Sequence, residues 1–166
     1  MTTRTLVAGV GNIFLGDDGF GVEVARRLAA RPMPDDVSVA DFGIRGVHLA
    51  YELLNDYGTL VLVDTVARGD PPGTVTVLEP SLNGGSSEGA GTLAAMDAHG
   101  MNPEAVLAMV SDLGGRLGRV LIVGCQPARL EEGIGLSEPV AAAVDKAVEA
   151  VEELVAEMSL SAREEG

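Results

Sequence analysis

The chain predicts an α/β fold: a single-domain, three-layer α/β/α arrangement on a mostly parallel, five-stranded twisted sheet with one antiparallel strand. Three observations lead there. Short apolar runs of strand character alternate with stretches of helical periodicity, the pattern of a doubly wound sheet. Aromatic residues are only 3% of the 166 residues while hydrophobic residues are 46%. The core is therefore built of Val, Leu, Ile and Ala, which suits a parallel sheet covered on both faces. Finally, Asp70-Pro71-Pro72-Gly73 is a tight turn of hairpin length. A parallel crossover needs a dozen residues or more, so this link marks the antiparallel strand.

The elements follow in order. Arg4 to Ala8 reads as a first buried strand, and a glycine-punctuated turn, Gly9 to Gly21, follows it. The turn delivers Asp17 and Asp18 to the head of an amphipathic helix over 21–31, with Val22, Ala25, Leu28 and Ala29 inward. Pro32 and Pro34 break that helix. Val37 to Phe42 alternates as a strand, and a short helix spans 47–55. Leu60 to Val63 is a continuous apolar run, a central strand stopping at Asp64, and Thr74 to Glu79 is the β-branched antiparallel strand. Residues 80–92 are rich in Gly and Ser and read as a mobile loop. Asn102 and Pro103 start a helix through Leu113. Val120 to Gly124 is the last strand, closed by Cys125-Gln126-Pro127. Ser137 caps a final helix whose stripe is Val140, Val144, Ala147, Val148, Val151, Leu154 and Val155. Residues 1–158 form one domain and 159–166 a frayed tail.

Composition narrows the function. A net charge of −14 argues against nucleic acid and anionic membranes, and favours a cation or a basic partner surface. A single cysteine excludes an internal disulfide, and no signal peptide or membrane-spanning run is visible, so a cytoplasmic protein is expected. The glycine-rich turn is not a dinucleotide site. Phe14 stands where the fingerprint needs its third glycine, and Asp17 and Asp18 occupy the helix end that a phosphate would use. A phosphoacceptor receiver domain would need a lysine after its fifth strand, but the sole lysine is Lys146, inside the final helix.

The carboxylates point to a cation instead. Asp18 (or Asp17) follows the first strand, Asp64 ends the third, and His99 precedes a helix. In a parallel sheet, the strand ends share one rim where ligands bind. Two carboxylates and an imidazole suit a borderline divalent ion such as Ni²⁺, Zn²⁺ or Mn²⁺. His48 reads as structural or surface, and Cys125 as a buried thiol rather than a nucleophile. Neither an H-E-x-x-H helix nor a Ser/His/Asp constellation is present.

Six blocks carry a family resemblance: Gly9 to Gly21, Asp41-Phe42-Gly43-Ile44-Arg45-Gly46, Leu62-Val63-Asp64-Thr65, Asp97-Ala98-His99, Val123 to Pro127, and Gly135-Leu136-Ser137. In this order, across about residues 4–157, the chain resembles the [NiFe]-hydrogenase maturation endopeptidases. The resemblance implies removal of the C-terminal extension of a hydrogenase large-subunit precursor after nickel insertion. It implies metal ligation and catalysis by Asp18, Asp64 and His99, with Asp18 preferred to Asp17, and substrate recognition through Asp41, Gly43 and Gly46. The nickel would come with the precursor, and ions such as Cd or Zn would compete for the same ligands. The competing class is a nickel-checking, chaperone-like module on the same fold, without hydrolysis.

Overall fold

The apolar runs form strands buried on both faces. The computed structural model describes residues 4–44, 46–55, 57–79, 114 and 117–165. Within them lie β1 (Thr5–Val10), β2 (Val37–Gly43), β3 (Thr59–Thr65), β4 (Val75–Leu78) and β5 (Arg119–Cys125), with α1 (Phe20–Ala29), α2 (Gly46–Glu52) and α3 (Glu138–Glu165). The sheet order is β2-β1-β3-β5-β4. β1, β2, β3 and β5 run parallel, and β4 runs antiparallel to β5.

Alternation along the strands divides the core in two. Leu6, Ala8, Val10, Leu60, Leu62, Val120 and Ile122 face α2, where Leu49 and Ala50 meet them together with Leu53 just past the helix end. Val7, Val61, Val63, Leu121 and Val123 face the opposite way, against Phe20, Val24 and Leu28 of α1 and the Val140-to-Val155 stripe of α3. That is the predicted three-layer arrangement, with the rim carrying the carboxyl ends of β1, β3 and β5 on one side. Among the described residues, no helix is long and apolar enough to cross a membrane.

The structure departs from the expectations at several places. β4 is antiparallel as its short link implies, but its neighbour is β5, not β3. A strand buried along its length, as β5 is after Arg119, needs neighbours on both sides, whereas half-exposed β4 suits the edge. On α1 the inner face uses Val24, while Ala29 is exposed. α2 ends at Glu52, and Leu53 to Asn55 continue as turns. α3 continues through Glu165, past Ser159, where a tail was expected. From Leu160 to Glu165 the sequence contains no Gly or Pro to stop it. The loop over 80–92, the helix from Asn102 to Leu113, and His99 lie outside the described residues.

Candidate active site

The glycine-punctuated turn works by allowing backbone to approach backbone. A Cβ on Gly11, whose φ is +135°, would lie 1.9 Å from the Asp18 carbonyl oxygen and 3.6 Å from Asp64 Oδ1. The absence of a side chain there lets the turn fold over the end of β1 and bring Asp18 beside β3. Asp17 and Asp18 sit in a single 3-10 turn, Gly16–Gly19, that leads into α1, and both are buried.

The two acids have different tasks. Asp17 accepts four hydrogen bonds from the segment after β5: the N–H groups of Ala128 (2.8 Å), Arg129 (2.8 Å) and Ser137 (2.6 Å), and the Ser137 hydroxyl (2.8 Å). Backbone pairs reinforce this clasp. Gly16 N–H donates to Gly133 O, Asp17 N–H to Arg129 O, and Gly133 N–H to Phe14 O. Burial pushes the Asp17 carboxyl upward, but the N–H groups of Ser137 and Arg129, the Ser137 hydroxyl and the Ala128 N–H outweigh it, holding the group below its ordinary range. Ser137 therefore stands at the head of α3, its carbonyl accepting the Ala141 N–H, with its hydroxyl on Asp17.

Asp18 faces β3. Its Oδ2 accepts the Asn12 N–H at 2.7 Å, and Thr65 Oγ lies 3.3 Å from its Oδ1. Asp64 Oδ1 accepts the N–H of Thr65 at 2.7 Å. Burial raises the Asp64 carboxyl well above the usual range, the charge of Asp18 raises it further, and the Thr65 N–H offsets only part of this. The rim thus holds two carboxyl groups in a dry, mutually repelling pair. Such a pair invites a cation or shares a proton. Of the two acids in the turn, it is Asp18 that joins Asp64.

The third predicted ligand, His99, lies outside the described residues, within which no three His, Cys, Asp or Glu side chains are arranged to hold a metal. Asp41 and Gly43 end β2 beside the turn, where Gly11 N–H donates to Gly43 O. Gly46 opens α2, and His48 is exposed on it. Sequence reasoning missed the anchoring roles of Asn12, Thr65 and Gln126. The Gln126 Oε1 accepts the N–H groups of Arg68 and Asp70, fixing the loop after β3. The only local signal for these residues was their place in the blocks at the strand ends.

Two expected results test this anatomy. Asp17→Asn keeps the shape but turns a donor toward N–H groups that now have an acceptor, and should cost about 2–3 kcal/mol in urea unfolding. Because the folded carboxyl is held low, its stabilisation is present above the ordinary carboxylate range and is lost as pH falls through the lowered value. The acid limb of the wild-type stability curve should therefore flatten in the Asn variant; an unchanged limb would remove Asp17 from the clasp. The Cys125 thiol is pushed up to about 11, first by burial and then by the charge of Asp17, against a smaller opposing effect from the Gly73 N–H. Native protein at pH 8 should resist iodoacetamide and be alkylated only in denaturant, as read by intact mass. Rapid native alkylation would show that the β5 end is open.

Comparisons with known proteins place this geometry. The family model described as hydrogenase maturation protease matches residues 22–154. The hydrogenase expression/formation protein HupD of Rhizobium leguminosarum bv. viciae is 30% identical over 171 residues, covering 98% of this chain and 80% of its own. Among solved structures, the hydrogenase maturating endopeptidase HybD from E. coli superposes with a TM-score of 0.76 at 29% identity, covering 93% of both chains. The hydrogenase 2 maturation peptidase from a Thaumarchaeota archaeon gives 0.70 at 36% identity, covering 93% of this chain and 99% of its own.

Proposed function

Since the chain belongs to the hydrogenase maturation protease family, we propose that it cuts the C-terminal extension from a [NiFe]-hydrogenase large-subunit precursor once nickel is in place. The observation that carries this reading is the buried Asp18–Asp64 pair at the strand-end rim. Two desolvated carboxylates repel one another until a divalent ion lies between them, so the site is completed by a metal that arrives with the substrate. His99 would supply the third ligand. A precursor lacking nickel leaves the repulsion uncompensated and binds poorly, which confines cleavage to loaded precursor.

Hydrolysis adds water across one peptide bond. The water oxygen bonds to the carbonyl carbon, the C–N bond breaks, and the leaving amine takes a proton. The water is deprotonated either by a carboxylate of the pair or through polarisation by the substrate's metal. Asp41 and Gly43, next to the turn, would help position the precursor.

The test is a mass-spectrometric cleavage assay on nickel-loaded and nickel-free precursor, with wild type and His99→Ala. Trimming of loaded precursor alone, lost in the variant, is the expected result. Equal trimming of both would keep the protease and discard the nickel checkpoint. Intact cognate precursor in every tube would leave only a nickel-checking module.

A further inference from the structure

Beside the carboxylate pair runs a groove of about 210 Å³, and it has a chemistry of its own. Gly11 and Asn12 belong both to this groove and to the site: Gly11 packs against Asp18 and Asp64, and Asn12 donates to Asp18. The walls are mostly apolar. Phe14 and Ile44 line it and are each 60% exposed, a costly display for large hydrophobic side chains in a chain with so few aromatics. Phe14 is held in a built turn, its N–H on Asn12 Oδ1 at 2.9 Å and its carbonyl accepting the Gly133 N–H. The volume suits a single bulky side chain and falls below the range of small-molecule pockets, about 300–1,000 Å³.

The groove also holds one cation, Arg26. On the same helix Arg27 pairs with Glu23 and Asp145, and Arg31, just past its end, pairs with Glu152. Arg26 makes no ion pair among the described residues. In a chain of net charge −14, an arginine left uncommitted on an apolar groove is complementary to an anionic group from outside.

We propose that this groove seats the precursor's polypeptide next to the scissile bond, with a bulky apolar side chain between Phe14 and Ile44 and an acidic side chain on Arg26. Arg26, Phe14 and Ile44 are then specificity residues, and the assignment rests on the protease reading above. An acidic neighbour is chosen over a neutral one because Arg26 is the one cation on the groove's lining and makes no ion pair among the described residues. Asp41, also on its lining, disfavours an acidic group placed beside it.

The experiment measures cleavage kinetics and calorimetric binding of nickel-loaded precursor for wild type, Arg26→Glu, Phe14→Ala and Ile44→Ala. Arg26→Glu should lower kcat/KM at least tenfold, with the loss carried by KM and matched in Kd, because binding shared by ground and transition states is removed. Replacing one acidic residue of the precursor near the cut by lysine should restore the Arg26→Glu enzyme. An unchanged KM and Kd would overturn the assignment, as would a loss confined to kcat. If the apolar variants instead alter sedimentation of the enzyme alone, the groove seats a second copy and the proposal falls. Failure of wild type to cleave would defeat the protease reading; weaker binding by Arg26→Glu in that case would still support the groove, and equal binding would overturn it.

Discussion

Asp64→Asn should stop precursor cleavage, by at least about a hundredfold, while raising the melting temperature at pH 8. The two effects share one origin. Asparagine matches the shape of aspartate and its Oδ1 still accepts the Thr65 N–H, so packing is preserved. What disappears is a carboxyl that burial and the Asp18 charge hold well above its ordinary range. With the folded value raised, the stability tied to the protonated group is present at acid pH and is lost as pH rises through that value. As pH rises through that value the wild type takes on the cost of a buried like-charge pair, and the Asn variant does not. A gain in melting temperature is expected at pH 8, shrinking as the pH is lowered. Calorimetry at four or five pH values, run beside the cleavage assay, decides it. A variant that is inactive and also melts lower at pH 8 would mean that Asp64 supports the fold and not the chemistry.

Gly21→Ala should have the larger effect on folding. A Cβ at Gly21 would stand 2.1 Å from Val63 O and 2.4 Å from Val10 O, both backbone atoms in β3 and β1. No side-chain rotation relieves such a contact, so α1 would have to leave the sheet and take Phe20, Val24 and Leu28 with it. We expect a loss of about 4 kcal/mol or more, enough to leave the protein largely insoluble or unfolded. Gly69→Ala is the control. It has a positive φ of 79° but open space around it, so only a backbone cost of about 1 kcal/mol applies. Urea midpoints of the two variants should differ severalfold in their shift; similar midpoints would mean that α1 is not pressed against the strands.

The fold was legible because each strand of the sheet's centre is an unbroken apolar run, and burial on both faces leaves little else for Leu60 to Val63 or Val120 to Val123 to be. Strand neighbours were less legible. A short link announces that β4 turns back, but only the need of β5 for a partner on each side decides where β4 goes. That an acid of the turn would approach Asp64 was legible from topology, since both follow strands that end on one rim, but only the family resemblance preferred Asp18 to Asp17. The role of Asp17 was not legible. Its partners lie 111 to 120 residues away, and no local pattern distinguishes an acid that binds a distant loop from one that caps the adjacent helix. The groove was invisible for a related reason, because Phe14 and Ile44 look like core residues until the structure leaves them outside.

The place of β5 in the sheet also governs when the protein can exist at all. β5 is the last strand among the described residues and lies between two earlier ones, β3 and β4. On the ribosome, β3 and β4 must therefore wait without the strand that lies between them until residues 119–125 have left the exit tunnel. The Asp17 clasp waits longer, for Ser137. Nothing resembling a finished rim is available to a precursor until Ser137 has emerged. Non-local pairing of this kind also slows folding after release, and it leaves open strand edges that chaperones can bind. Refolding by dilution should accordingly be slow and sensitive to protein concentration, and nascent enzyme cannot begin processing until Ser137 has emerged and the middle of its sheet has been filled.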